Sequence, residues 1–348
     1  MKLSIVIPVY NKEVWLRPLF ESLMGQGLDK EDYEIIFVND GSTDGSDAVC
    51  RDLISAHPEV NVKYRTQANA GVSAARNAGI DMAAGEYIHF LDCDDYMLDG
   101  SYGYLLEKWG DEGLDYIGFW PIWLEMRNGV DPSAEAAGLT VSGDEKERVS
   151  GLRLVADGRW PSSSVAGLYR REFLKSRGVA FPVGVIVGED LMFNSDFFIR
   201  SPRCVLTSCL PYVYRVHSSS TMNTISAEKA EKWFFSYYTT LKHLVDYKQN
   251  TPPAQSCISS EDLARGLGST VSHHLGVFIP RALQFSLSSD SFRRWARKFV
   301  KAGIVPDASK GLSVRVANFV FLHPAAYPLL SWTCVNIFYR FLYHFVHK

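Results

Sequence analysis

The order of hydrophobic periods along the chain predicts an α/β protein, with a mostly parallel sheet flanked by helices and a helical C-terminal region. Short, continuous apolar runs recur through the first 120 residues, as in strands buried on both faces. Stretches with apolar side chains at helical spacing separate them. From about Ala227 onward the pattern is helical, broken by a polar linker near Gln249–Ser260.

Leu3–Ile7 reads as the first strand. A helix succeeds it, with Leu16, Leu19, Phe20 and Leu23 on one side and Pro18 expected in its first turn, where a missing N–H costs nothing. Ile35–Val38 is a second buried strand, and Ser46–Ala56 a helix after a turn rich in Gly, Ser and Asp. Val62–Tyr64 is a short third strand. Val72–Ala84 is a helix whose Ala74, Ala75, Ala78 and Gly79 permit close packing on a sheet. Tyr87–Leu91 and Tyr116–Phe119 are further strands. Glu125–Ser150 loses periodicity and reads as an excursion over the active-site face, and Trp160–Pro211 returns to short mixed elements.

With 348 residues, 47% of them hydrophobic, the chain is one large or two modest domains, and disorder is excluded. The net charge of −3 hides an asymmetry. Residues 291–348 hold nine Lys/Arg and one acid, whereas the preceding 290 hold 27 basic and 38 acidic residues. An acidic body does not suit nucleic acid, and a basic tail suits an anionic surface. The six cysteines are scattered without a C-x-x-C pair, as free thiols in a reducing cytosol would be. The first apolar run is too short for a secretory signal, so a cytoplasmic location is expected.

In open α/β sheets, ligands bind outside the carboxyl ends of the strands. Strand one ends in Pro8-Val9-Tyr10-Asn11, strand two in Asn39-Asp40-Gly41-Ser42, and strand four in Asp92-Cys93-Asp94-Asp95. Three carboxylates in four residues raise each other's pKa, and a hard divalent cation, Mg²⁺ or Mn²⁺, relieves the crowding. The plainer alternative is that Asp serves local hydrogen bonds in turns. Neither G-x-G-x-x-G nor G-x-x-x-x-G-K-[ST] succeeds the first strand, which disfavours a dinucleotide and excludes a P-loop. A diphosphate gripped through metal by aspartates remains, which suits a nucleotide-sugar.

Ser4–Asn11, Val38–Asp44, Asn69–Gly79 and Phe90–Asp95 together resemble, in order and spacing, the blocks of the family 2 inverting glycosyltransferases with the GT-A fold. A weaker echo runs through Leu168–Phe173 and Gly188–Phe193. The resemblance implies a GT-A domain over residues 1–222, with a nucleotide-sugar half (1–98) and an acceptor half (99–222), and then a helical region, 223–348. It also implies that Pro8, Val9 and Tyr10 line the base, that Asp40 hydrogen-bonds it, often as uracil, that Asp92 holds the ribose side and that Asp94 ligates the metal. Asp95 is either an outer support or an N-cap, and Cys93 fills a variable position. Arg76 either has a functional role, near the diphosphate or pairing with the aspartates, or a structural one, neutralising the acidic cluster from a helix face. Asn69 either touches the base or forms a turn.

By the family's Glu-Asp motif, Asp190 is the general base that deprotonates the acceptor hydroxyl, and Glu189 positions the acceptor. The alternative is an acidic pair complementing a helix N-terminus. His217 reads either as a late diphosphate or metal contact or as a cap. Trp123 and Trp160 could stack on an acceptor sugar, but core packing is the commoner fate of a Trp and both are left out of the site.

In the tail, Phe292, Trp295 and Phe299 recur at helical spacing among Arg293, Arg294, Arg297, Lys298 and Lys301, the pattern of a basic amphipathic helix on an anionic membrane. Val316–Tyr339 carries no charged residue, but prolines and polar residues interrupt it, favouring interfacial helices over a span, with packing on the body or on a partner subunit as the remaining alternative. The expected activity is metal-dependent transfer of a sugar from a nucleotide diphosphate donor, read as a UDP-sugar, to a saccharide or lipid-linked saccharide. It belongs to cell-surface polysaccharide synthesis on the cytoplasmic face of the inner membrane. The competing class is a non-catalytic nucleotide-sugar-binding scaffold.

Overall fold

The computed structural model describes residues 1–125, 139–216, 227–250, 258–285, 287–305 and 312–329. They group into two compact units. The first holds Met1–Leu154, Trp160–Gly184 and Glu189–Ser220, and the second holds Val155–Arg159, Val185–Gly188 and Thr221–Lys348.

The first unit begins with β1 (Leu3–Val9), α1 (Glu13–Ser22), β2 (Tyr33–Asn39), α2 (Ser46–Ala56), β3 (Val62–Thr66), α3 (Val72–Met82) and β4 (Tyr87–Phe90). It continues with β5 (Tyr96–Met97), α4 (Ser101–Trp109), β6 (Tyr116–Gly118), β7 (Pro121–Glu125) and β8 (Glu145–Val149). Then come α5 (Gly151–Ala156), β9 (Gly167–Arg170), α6 (Arg171–Arg177), α7 (Glu189–Phe198), β10 (Cys204–Thr207) and β11 (Tyr212–Val216). The eight-stranded sheet runs β3-β2-β1-β4-β9-β6-β10-β8, and a small sheet runs β5-β11-β7. β3, β2, β1 and β4 pair in parallel. The far half is mixed, because β9 inserts antiparallel between β4 and β6.

β1 and β2 are buried nearly throughout, which explains their continuous apolar runs. α3 approaches β1 through Gly79, where a Cβ would lie 2.1 Å from a Val6 methyl. α1 starts at Glu13, so Pro18 falls inside the helix instead of in its first turn. At that start the Glu13 N–H donates to Asp44 Oδ2 at 3.3 Å, while the Glu13 carboxylate accepts from the Gly45 N–H at 2.6 Å. Part of the expected excursion over the active-site face is a strand: β8 pairs antiparallel with β10 at the sheet edge. Residues 126–138 lie outside the described set.

The second unit contains α8 (Ala227–Asn250), α9 (Ser260–Gln284), α10 (Ser289–Lys301) and α11 (Leu312–Leu322), with a 3₁₀ turn at Pro324–Leu329. Ser259 and Ser288 cap α9 and α10 by accepting from the Asp262 and Ser291 N–H groups. Its core is aromatic: Phe292 stacks on Tyr327 at 4.1 Å, and Phe299 on Phe321 at 4.8 Å. The aromatic face of α10, expected to meet lipid, is therefore buried within this unit. Arg293, Arg294, Arg297, Lys298 and Lys301 stay exposed on the opposite side. Among the described residues no helix is long and apolar enough to cross a membrane. Residues 330–348, most of the uncharged tail, lie outside the described set.

Candidate active site

The strand order reverses between β1 and β4, which makes the crevice beyond their carboxyl ends the topological switch point. The loop after β1 is laced to the loop after β2. Asn11, the only non-glycine residue with positive φ among the described residues (53°), accepts from the Thr43 N–H at 2.8 Å, and its own N–H donates to Ser42 Oγ at 3.0 Å. This holds the Tyr10 ring out at 47% exposure beside the buried Val9.

Asp40, expected to hydrogen-bond the base, is already engaged within the protein. It is 3% exposed and already accepts from Gln67 Nε2 at 2.8 Å, the Ala70 N–H at 3.0 Å and the Gly71 N–H at 2.8 Å. Its evident task is to clamp the Gln67–Gly71 loop, which closes into α3 through a left-handed Gly71 with φ of 89°. Asn69 is exposed in that loop.

The carboxylates after β4 separate into two kinds. Asp95 is buried and caps no helix, because the next element is the strand β5. It accepts from the Tyr212 hydroxyl and, at 2.9 Å, from the Arg215 N–H. Burial, and then the nearby Asp92, push its pKa up to about 8. Cys93 is buried with its thiol on the Pro8 carbonyl at 3.2 Å, a structural contact. Asp92 and Asp94 remain partly open, at 33% and 20% side-chain exposure. Lys12 Nζ sits on Asp94 Oδ2.

Arg76, projecting from α3, joins the two halves of the site. One guanidinium nitrogen donates to Asp92 Oδ1 at 2.9 Å and the other to Asp190 Oδ1 at 2.8 Å, with Glu189 at 3.6 Å. The side chain is only 4% exposed, and its nearest carboxylates hold it charged, so neutralisation of the acidic cluster is what this geometry gives. Asp190 collects further donors: Ser164 Oγ at 2.9 Å, the Ser164 N–H at 3.1 Å and Ser163 Oγ at 3.4 Å. Glu189 is pushed up to about 7, first by burial and then by the adjacent Asp190. Asp92 is likewise raised by burial, with Asp94 and Asp190 adding to the effect against Arg76.

The sequence reading missed Lys12, Ser163 and Ser164. Lys12 has a signal, since it directly succeeds the strand-one block; the serines have none, because their role depends on a contact from 26 or more residues away. Trp160 is core as expected, at 8% exposure, but Trp123 is 64% exposed and lies 4.3 Å from the Tyr214 ring on the small sheet. His217 lies outside the described residues.

Among the described residues, no three His, Cys, Asp or Glu side chains form a ready-made metal cage. The donor set nevertheless suits a hard cation. Among the described residues, Asp92, Asp94, Glu189 and Asp190 pair with Arg76 and Lys12, and Asp92 and Glu189 are raised first by burial and then by their acidic neighbours. Two carboxylates leave most of a cation's coordination to a diphosphate and water.

The model of the family described as glycosyl transferase family 2 matches residues 4–177. The chain is 32% identical over 219 residues to the uncharacterized glycosyltransferase EpsJ of Bacillus subtilis (strain 168), covering 62% of each protein. It is 30% identical over 258 residues to the minor teichoic acid biosynthesis protein GgaB of the same organism, covering 71% of this chain and 27% of GgaB. Among solved structures, residues 1–349 of S. aureus TarS in complex with UDP-GlcNAc align with a TM-score of 0.68 and 18% identity, over 98% of this chain and 92% of that one. That likeness is one of fold, the GT-A fold.

Proposed function

The chain belongs to glycosyl transferase family 2, and from that premise we propose that it moves a sugar, with inversion, from a nucleotide diphosphate donor to a saccharide or lipid-linked saccharide in cell-surface polymer synthesis. One observation carries the reading: Arg76 binds Asp92 on the donor side and Asp190 on the acceptor side at 2.9 and 2.8 Å, so both halves of a displacement reaction meet at one point.

Tyr10, with the backbone around Pro8 and Val9 and the loop that Asp40 clamps, forms the base wall, with Asn69 at its edge. UDP is the favoured nucleotide, because the TarS fold neighbour was solved with UDP-GlcNAc. Asp94, with Asp92, would hold Mn²⁺ or Mg²⁺, and the chemistry such an ion supplies there is neutralisation of charge on the departing nucleoside diphosphate. Asp190 takes the proton of the acceptor hydroxyl as that oxygen attacks the anomeric carbon opposite the leaving group. Ser163, Ser164 and Arg76 fix the carboxylate for that transfer, and Glu189 orients the acceptor.

GgaB's role in minor teichoic acid biosynthesis supports a cell-envelope polymer as the acceptor class. The exposed cations of α10 supply a surface for peripheral attachment to the cytoplasmic face of an anionic membrane. Salt-sensitive sedimentation with anionic vesicles checks that part.

The deciding experiment measures sugar transfer or donor hydrolysis from a panel of UDP- and GDP-sugars with Mn²⁺, comparing wild type with Asp190→Asn and Glu189→Gln. Turnover lost in Asp190→Asn, with nucleotide still raising the melting temperature, supports the reading. No turnover of any donor by the wild type would leave a nucleotide-sugar-binding scaffold.

A further inference from the structure

Lys12 stands where a cation is needed and is held by a part of the chain that has little freedom to move. Its N–H donates to Ser46 Oγ at 2.8 Å. On one side Asn11 is bound to Ser42 and Thr43, and on the other Glu13 accepts from Gly45. The backbone is clamped to the β2–α2 loop from both directions, so the residue's freedom lies in its four-carbon stem. That stem carries the ammonium across the β1/β4 crevice to Asp94 Oδ2, in a partly dry position where the side chains are 23% and 20% exposed. At such range an ammonium and a divalent ion compete for the same carboxylate lone pairs, and the competition strengthens as water is excluded.

We propose that Lys12 is the resident counter-cation of Asp94: it is displaced when a divalent ion enters, and its freed ammonium then contacts the donor's diphosphate. This rests on Asp94 as the metal-holding carboxylate. Without nucleotide, Lys12 occupies Asp94 Oδ2 and so competes with weakly bound metal for that carboxylate. With nucleotide, the diphosphate supplies both the metal's missing oxygens and a new anionic partner for the lysine, which suits a compact, mobile charge better than it would suit arginine's rigid fork. Metal and donor therefore enter together, and Lys12 couples the two events.

The test is Mn²⁺ binding to the full chain without nucleotide, read by the loss of the free-ion electron paramagnetic resonance signal, for wild type, Lys12→Met, Lys12→Arg and Asp94→Asn. UDP binding is then measured at saturating Mn²⁺. Lys12→Met should bind Mn²⁺ about tenfold more tightly than wild type and UDP about tenfold more weakly, each near one unit-charge interaction in a half-screened site. Lys12→Arg should keep Mn²⁺ binding weak and confirms that the charge, not the fold, is responsible. If Lys12→Met binds Mn²⁺ no more tightly than wild type while Asp94→Asn loses binding, the metal assignment stands and the counter-cation role is overturned. If Asp94→Asn binds Mn²⁺ as well as wild type, the metal assignment fails and takes this role with it.

Discussion

Acidic side chains gather at both ends of the central sheet, but in different surroundings. At the amino ends of β1 and β4, a cavity of about 330 Å³ is lined by Asp29, Asp32, Glu86, Glu107 and Asp111 with a single lysine, Lys2. Four of those five carboxylates are exposed, and Lys2 pairs with Asp32 while itself 55% exposed. At the carboxyl ends, Asp92, Asp94, Glu189 and Asp190 are mostly withdrawn from water and share Arg76 and Lys12. Solvent screens the first group into near independence, whereas burial couples the second, so that moving one charge there changes the others.

The contrast can be broken most severely through Asp190. Replacing it by Asn should reduce sugar transfer by about 10²–10⁴-fold, the usual worth of a positioned base, in a donor-turnover assay that leaves UDP binding intact. Arg76→Met comes next, because it strands buried carboxylates. We expect a loss of about 3–5 kcal/mol in chemical denaturation at pH 8. That loss should shrink towards pH 5, since Glu189 and Asp92 are already raised and take up protons readily once the guanidinium is gone.

Glu189 offers a milder change. Its folded pKa of about 7 lies above the ordinary value of 4.5, so its contribution to stability is full below about 4.5 and is lost as pH rises through 7. The ionised form is the one that can accept from an acceptor hydroxyl. Transfer should therefore climb between pH 6 and 8 in the wild type, and a pH–rate profile of Glu189→Gln should lack that limb. The smallest effects belong to the other end of the sheet: Glu107→Gln and Asp111→Asn should change stability by less than about 0.5 kcal/mol and leave transfer untouched. A marked loss of activity in either would erase the distinction between the two ends.

Legibility in the sequence divides along the same line. β1, β2 and β4 are buried on both faces, so their apolar runs are conspicuous, and the polar residues that end them mark the site. β5, two residues long, and β8, with its alternating charges, gave no such signal, because their pairing with β11 and β10 is a tertiary choice. The tail aromatics were visible as one helix face, but periodicity reports that a face is apolar and not what covers it; here Phe321 and Tyr327 do. The same limit hid Trp123, whose exposure depends on its strand lying in the small sheet. Arg76 was read with both roles open, and only its distances to Asp92 and Asp190 show the bridge.

That bridge has a thermodynamic corollary. On the proposed roles of Asp92 and Asp190, a guanidinium shared by the two carboxylates ties the two ligand equilibria into one cycle. Whatever factor a bound nucleotide applies to acceptor affinity, the acceptor must return to the nucleotide. Paired calorimetric titrations, run in both orders, would expose this reciprocity, and Arg76→Lys, with one point charge for two partners, should bring the factor close to unity.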